Sequence, residues 1–256
     1  MKTSVTKADI LLGLKSLGIK PGDRVMVHSS LSSLGYVKGG ADAVVDALLE
    51  AVGPEGTIMM PSFNHGREEI FDIEKSPSYS GLITETLRKR AGTKRSLHPT
   101  HPYVACGRDA ARLVKGHENG LTFGRNSPLG KLALEGGYVL LLGVTHRSNT
   151  TRHIGETLAK APCIGYRKRI YKMRAPDGTI IKGRSMLWRS APCPITGDML
   201  EENLRRKGAI REGHIGESKL QLMLAENIVQ MMLKLCLGEK GQPGYCQECK
   251  IKPKRK

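Results

Sequence analysis

The strongest constraint on the fold is a short apolar run near the middle of the chain, Tyr138–Val144 (YVLLLGV). It is far shorter than the roughly 20 residues that a helix needs to cross a bilayer. A run that is apolar at every position, and not only at alternate ones, is typical of a strand covered on both faces. We therefore predict a strand that is covered on both faces, at the centre of the fold.

The rest of the first half alternates helices and strands. The predicted elements are a helix over 5–18, a strand at Arg24–His28, a helix at Ala41–Val52, a strand at Thr57–Met60, and helices over 81–91 and 107–115. Helical spacing of apolar residues identifies the helices, and short β-branched runs identify the strands. This alternation indicates an α/β fold.

The second half contains two further elements. The segment 167–183 predicts a β-hairpin, because Pro176-Asp177-Gly178 forms a turn signal between two strand-like runs. Residues 217–236 predict one long amphipathic helix. We expect a single domain over 1–240, followed by a basic, Cys-containing tail over 241–256.

Composition limits the partners. The chain has 41 Lys and Arg against 24 Asp and Glu, a formal charge of +17 that favours anionic partners. A basic nucleic-acid-binding protein is one alternative, but the chain lacks the interleaved basic and aromatic residues that stack on bases. The amino-terminal segment contains Asp9 and Lys15 where a signal peptide would be apolar, so we expect a cytoplasmic protein with no membrane partner.

The cysteines offer a metal alternative. In a cytoplasmic chain we expect them to be reduced. Cys246 and Cys249, with Cys236 before them, resemble half of a zinc site, and a fourth ligand would have to be Cys193 or His214. Free thiols are favoured over zinc, and we expect no metal.

Two polar segments are candidates for chemistry. The Ser-rich loop that follows the first predicted strand, from Ser29 to Ser33, presents hydroxyl and N–H groups suited to a phosphate or pantetheine chain. The alternative is a solvated loop that caps the next helix.

The second segment follows the Tyr138–Val144 strand, where Asn149 or Thr150 is expected to cap a helix. This would place His153 in the first turn and Glu156 three residues later on the same face, so that the carboxylate orients the imidazole as a general base. The alternative is a surface ion pair. The carboxyl end of a buried strand favours function, because open α/β sheets bind ligands there.

Five strings resemble, in order and spacing, those of the aminoglycoside 3-N-acetyltransferase family: VHSSLSSLG (27–35), GPEGTIMMPSF (53–63), RSLHPTHP (95–102), FGRNSPLGKL (123–132) and LLLGVTHRSNTTRHIGE (140–156). The resemblance implies a three-layer α/β/α sandwich with a mixed central sheet, distinct from the commoner acetyltransferase fold. It also implies acetyl-coenzyme A as the donor substrate.

The resemblance assigns roles to individual residues. His153 matches the family's catalytic histidine, and Glu156 matches the acid that follows it. The expected contacts of the cofactor are Ser29, Ser30, Leu31, Ser32, Ser33, Ser127 and Thr150. Four cations within or beside these strings, Lys38, Arg95, Arg125 and Lys131, could attract the phosphates of coenzyme A.

The expected acceptor is an amine of an aminoglycoside or a related amino sugar, and another small-molecule amine is the alternative. Glu68, Glu69 and Asp72 lie where the resemblance places acceptor contacts, and a solvated loop is the other interpretation. We expect direct attack of the amine in a ternary complex, with His153 as the base. The oligomeric state stays open, a homodimer being one option.

Overall fold

The computed structural model describes residues 4–119, 121–189, 193–237 and Cys246. Its elements, in chain order, are α1 Lys7–Ser16, β1 Arg24–Ser29, α2 Gly40–Val52, β2 Thr57–Pro61, β3 Ile70–Asp72, α3 Leu82–Lys89, β4 Lys94–Arg95, β5 Tyr103–Gly107, α4 Ala110–Val114, α5 Pro128–Leu134, β6 Tyr138–Leu142, α6 Arg152–Leu158, β7 Ile164–Arg174, β8 Ile180–Arg189, α7 Gly197–Arg206, β9 Arg211–Ile215, β10 Ser218–Leu224 and α8 Ala225–Leu237. The alternation of helices and strands predicted for the first half is confirmed.

A seven-stranded mixed sheet forms the centre of the molecule. Its strand order is β4-β5-β2-β1-β6-β10-β9. Strand β1 runs parallel to both β2 and β6, whereas β5 and β10 pair antiparallel with β2 and β6. The apolar run at Tyr138 is therefore an interior strand, as its composition predicts.

Alternate side chains of each central strand enter two separate cores. Val25 and Val27 of β1 pack in the core covered by α1, α2 and α3. Met26, between them, packs in the opposite core with residues of α4 to α8. Because successive side chains of a strand point to opposite faces, one buried strand supplies both cores. The fold is the α/β/α sandwich that the resemblance implies.

The predicted helix over 217–236 is wrong in its first part. Residues 218–224 (SKLQLML) form strand β10, which pairs with β6 on one side and β9 on the other, and α8 begins at Ala225. Leu220 and Leu222 enter one core, and Met223 enters the other. A strand that is apolar on both faces has no clear period of two, so its sequence resembles a helix until its partners are known.

The predicted hairpin is confirmed. Strands β7 and β8 pair antiparallel, and β3 adds parallel to β7, which gives a second, three-stranded sheet. Gly178 closes the turn at φ +85°, a left-handed conformation that glycine adopts without strain. Among the described residues, no helix has both the length and the apolar composition of a membrane span. Apart from Cys246, the predicted tail over 241–256 lies outside the described residues.

Candidate functional site

Four of the five family-like strings meet at one edge of the central sheet. Strands β1, β2 and β6 are parallel, so the segments that follow them share this edge. Strand β5 is antiparallel, with Tyr103 opposite Pro61, so the RSLHPTHP string that precedes it lies at the same edge. The fifth string joins through Phe123, whose ring lies 5.1 Å from that of His153.

His153 and Glu156 form the polar centre of this edge. Helix α6 begins at Arg152, so His153 lies in its first turn, as predicted. The predicted cap is wrong, because the residue that caps the helix is Thr151 and not Asn149 or Thr150. The Nδ1 atom of His153 is 2.7 Å from Oε2 of Glu156. The Glu156 side chain is only 1% exposed, whereas that of His153 is 18% exposed. A buried carboxylate thus orients an imidazole that solvent and small ligands can reach.

The other carboxylate oxygen of Glu156, Oε1, also has neighbours that fix its position. Arg152 Nη2 donates to Glu156 Oε1 at 3.4 Å and to the backbone oxygen of Ile195 at 2.6 Å. Cys193 Sγ lies 4.0 Å from the same carboxylate oxygen. These contacts fix the carboxylate, and the carboxylate in turn fixes the tautomer and orientation of His153.

A cluster of rings extends from His153 into the molecule. The Phe123 ring lies between His153 and His101, with the His101 ring centroid at 5.4 Å. Phe63 and His65 also pack edge-on against His101, at 4.7 and 5.5 Å. Apart from His65, these residues come from four separate strings, and the sequence alone did not show that their rings meet.

Two further histidines at this edge are buried and neutral. Burial, with the nearby charges of His146 and His153, lowers the pKa of His28 to about 3. Burial lowers the pKa of His146 to about 4. Neither Nε2 atom has a hydrogen-bond partner among the described residues. Buried nitrogens without a partner are costly, so a ligand or water that bonded to them would stabilise this edge.

The buried histidines predict a pH dependence of stability. His28, and also His117 with a pKa of about 3, stay neutral in the folded state, whereas an unfolded histidine titrates near 6.5. Near and below pH 6.5 the unfolded state binds more protons than the folded state, so the free energy of unfolding decreases as the pH is lowered. Each such histidine contributes a loss of about 1.4 kcal/mol between pH 7.5 and 5.5.

Urea denaturation at the two pH values measures this loss. The variant His28→Gln should lose about 1.4 kcal/mol less than the wild type over the same range. His214→Gln, at an exposed position, is the control. An unchanged pH dependence in His28→Gln would contradict the prediction.

The Ser-rich loop lies at the same edge and is internally hydrogen-bonded. Ser33 Oγ donates to the backbone oxygen of Ser30 at 2.7 Å and lies 3.0 Å from Ser218 Oγ. The hydroxyls of Ser30 and Ser32 are 3.1 Å apart near the surface. Beside them, a cavity of about 370 Å³ is lined by Ser33, Gly143, Val144, Thr145, Glu201, Arg205, Glu217, Ser218, Lys219 and Gln221. Ser29 ends β1, and Leu31 precedes the short 3₁₀ turn at Ser32–Leu34.

The other expected cofactor contacts, Ser127 and Thr150, lie at the starts of helices α5 and α6. The Ser127 hydroxyl donates to the backbone oxygen of Gly124 at 2.7 Å and accepts from Gly130 N–H at 3.1 Å, so it caps helix α5. Thr150 lies in the turn before α6, and its buried hydroxyl has no hydrogen-bond partner among the described residues. Cofactor contact by either residue stays a prediction.

The three predicted acceptor carboxylates are already engaged. Glu69 pairs with Lys172 of β7 at 3.1 Å, and Asp72 lies 3.5 Å from Arg174 of the same strand. Glu68 is hydrogen-bonded to the hydroxyl of Ser76. They belong to β3 and the segments beside it, in the small sheet. Their role in acceptor binding stays a prediction.

Two of the four cations expected to bind phosphate instead donate hydrogen bonds to backbone oxygens. Arg95 donates to the backbone oxygen of Ser62 at 3.0 Å, and burial lowers its pKa to about 10. Lys131 Nζ donates to three backbone oxygens, of Arg112, Leu113 and Lys115. Lys38 and Arg125 are exposed.

Several cysteines gather behind Glu156. Cys236 and Cys246 pack in one small buried cluster with Cys193 at its margin. Burial, followed by the charge of Glu156 and the neighbouring thiols, raises the pKa of Cys236. Among the described residues, no three His, Cys, Asp or Glu side chains are arranged to hold a metal ion. Cys249 lies outside those residues.

Comparison with known proteins identifies relatives. A family model described as aminoglycoside 3-N-acetyltransferase matches residues 26–236. The YokD protein of Bacillus subtilis, an aminoglycoside N(3')-acetyltransferase-like protein, is 41% identical over 59% of this chain and 64% of its own length. Aminoglycoside N(3)-acetyltransferase III of Serratia marcescens is 38% identical over 68% of this chain and 72% of its own length.

Solved structures agree with these sequence matches. The match to the binary complex of AAC-IIIb with CoASH covers 91% of this chain and 96% of the AAC-IIIb chain, with a TM-score of 0.81 and 26% sequence identity. A second match is a histidine-to-alanine mutant of AAC(3)-IVa in complex with a gentamicin. It covers 97% of this chain and 96% of the AAC(3)-IVa chain, with a TM-score of 0.83 and 28% sequence identity.

Proposed function

Because the chain belongs to the aminoglycoside 3-N-acetyltransferase family and is an acetyltransferase, we propose that it transfers the acetyl group of acetyl-coenzyme A to an amine of an aminoglycoside or a related amino sugar. The observation that carries the proposal is the 2.7 Å contact between His153 and the buried carboxylate of Glu156. Its position at the carboxyl ends of parallel strands supports a ligand site there.

The reaction follows from the geometry of these two side chains. With Nδ1 held by Glu156, the Nε2 atom of His153 takes the proton of the amine as its nitrogen attacks the thioester carbon. Hydroxyl and backbone donors of the loop from Ser29 to Ser33 stabilise the oxygen that becomes negative. His153 then returns the proton to the sulfur that leaves. Both substrates are present together, so no acyl-enzyme intermediate is required, and the proposed steps use no metal.

The loop residues fit an acyl-coenzyme A chain. Ser30 and Ser32 place two hydroxyls near the surface, and the cavity beside Ser33 contains further polar atoms. The bound CoASH in AAC-IIIb supports the same donor here. Since Arg95 and Lys131 are occupied by backbone oxygens, we assign initial attraction of the phosphates to exposed cations such as Lys38 and Arg125.

An assay of thiol release tests the proposed function. The protein is incubated with acetyl-coenzyme A alone, and then with gentamicin, with glucosamine, which has no anionic group, and with glucosamine 6-phosphate. We expect release only when an amine is present, with one acetylated product per thiol. Release without amine, or no release with any amine, would contradict direct transfer.

A further inference from the structure

A β-bulge interrupts the β7–β8 hairpin beside the edge of the central sheet that contains His153 and Glu156. Tyr166 pairs with Met186, but the next pair is Ile170 with Arg184. Three residues of β7, Arg167, Lys168 and Arg169, therefore stand opposite the single residue Ser185 of β8. Bulges redirect side chains and are frequent next to active sites.

Hydrogen bonds fix this bulge to the ring cluster of the site. Ser185 is buried, and its Oγ lies 2.6 Å from Thr100 Oγ1, which in turn lies 2.6 Å from Nδ1 of His101. His101 reaches His153 through the ring of Phe123. The bulge is thus two hydrogen bonds and two ring contacts away from the general base.

Arg167 is partly buried, whereas Lys168 and Arg169 of the same bulge are exposed. The Nε atom of Arg167 is shielded from solvent and has no hydrogen-bond partner among the described residues. After burial itself, its positive charge is among the causes that lower the pKa values of His65 and His101. Among the described side chains, no carboxylate forms an ion pair with it, since Glu69 and Asp72 pair with Lys172 and Arg174.

This side of the site therefore combines neutral imidazoles with the guanidinium of Arg167, which forms no ion pair with a described carboxylate. A partly desolvated guanidinium binds a carboxylate or phosphate through paired hydrogen bonds. The same charge repels a polycationic acceptor. We propose that Arg167 is a subsite for an anionic group of the acceptor, which is a small amine, such as an amino sugar, that also contains a carboxylate or phosphate. This inference rests on the proposed function.

The variant Arg167→Gln tests the subsite, with Lys168→Gln as the matched control. Lys168 is the next residue of the bulge, is exposed, and loses the same charge on substitution. Steady-state kinetics are measured with glucosamine 6-phosphate, with glucosamine, which lacks the phosphate, and with varied acetyl-coenzyme A. Thermal unfolding verifies that both variants are folded, and Arg167→Lys tests for rescue by charge alone.

For glucosamine 6-phosphate we expect Arg167→Gln to raise KM about tenfold or more, since charge-assisted hydrogen bonds are lost. The KM values for glucosamine and acetyl-coenzyme A should change less than about twofold, as should all values in Lys168→Gln, and Arg167→Lys should recover part of the loss. Equal effects in Arg167→Gln and Lys168→Gln would overturn the inference. A loss confined to acetyl-coenzyme A would also overturn it and would assign the guanidinium to the donor.

These outcomes separate the inference from the proposed function. If the wild type acetylates gentamicin well and glucosamine 6-phosphate poorly, the acetyltransferase function stands and the anionic subsite is wrong. If no amine is acetylated, the proposed function itself fails. Binding of glucosamine 6-phosphate, measured by calorimetry on wild type and Arg167→Gln, then still decides the subsite.

Discussion

Replacement of His153 by asparagine is expected to lower kcat by about 100-fold or more, the usual effect of losing a general base. Asparagine retains a polar group near Glu156 but has no nitrogen that accepts a proton at neutral pH. Since the side chain is proposed to act on the amine and not to bind the donor, the KM for acetyl-coenzyme A should change little. Steady-state kinetics with the best acceptor, and calorimetric binding of coenzyme A, measure the two effects.

Glu156→Gln is the comparison for this variant. It removes the charge that orients the imidazole but leaves the base itself, so the loss in kcat should be smaller than that of His153→Asn. The glutamine can still accept a hydrogen bond from Arg152, which lies 3.4 Å away. Near-native turnover in His153→Asn would rule out the proposed mechanism.

Gly143→Ala is expected to lower the free energy of unfolding by about 2 to 4 kcal/mol. Gly143 has φ +67°, and an added Cβ would overlap the hydroxyls of Ser33 and Ser218. The strained backbone and the lost Ser33–Ser218 contact both contribute. Because the displaced serine belongs to the proposed donor loop, the KM for acetyl-coenzyme A should rise as well. Urea denaturation and steady-state kinetics measure these changes.

Gly136→Ala separates the two contributions. Gly136 has nearly the same backbone angle, φ +73°, but no atom lies within 4 Å of an added Cβ. This variant should lose only about 1 kcal/mol, the cost of the left-handed conformation, and should keep its KM. Equal losses at the two positions would show that close packing against Ser33 contributes nothing.

The carboxyl-terminal segment shows a limit of reasoning from periodicity. The turn at Pro176-Asp177-Gly178 was predictable because its residues specify their own conformation. Residues 218–224 were not, because their strand is stabilised by hydrogen bonds to β6 and β9. Strand β6 lies far earlier in the chain, at Tyr138–Leu142, and no local pattern reveals such a partner.

The sequence by itself determined the features that depend on neighbours along the chain. His153 and Glu156 lie three residues apart on one helix, so their contact required only that α6 form. The order of the five strings likewise indicated the family, and the fully apolar run at Tyr138 indicated a central strand.

The tertiary structure alone decided the electrostatic surroundings of the site. Glu69 forms an ion pair with Lys172, 103 residues later in the chain, so a carboxylate that the sequence left unpaired has a cation beside it. The bulge that contains Arg167 lies opposite Ser185, because the register of β7 and β8 is set by pairing and not by either strand. Local sequence determines which side chains share a helix face, but only packing determines which charges remain uncompensated.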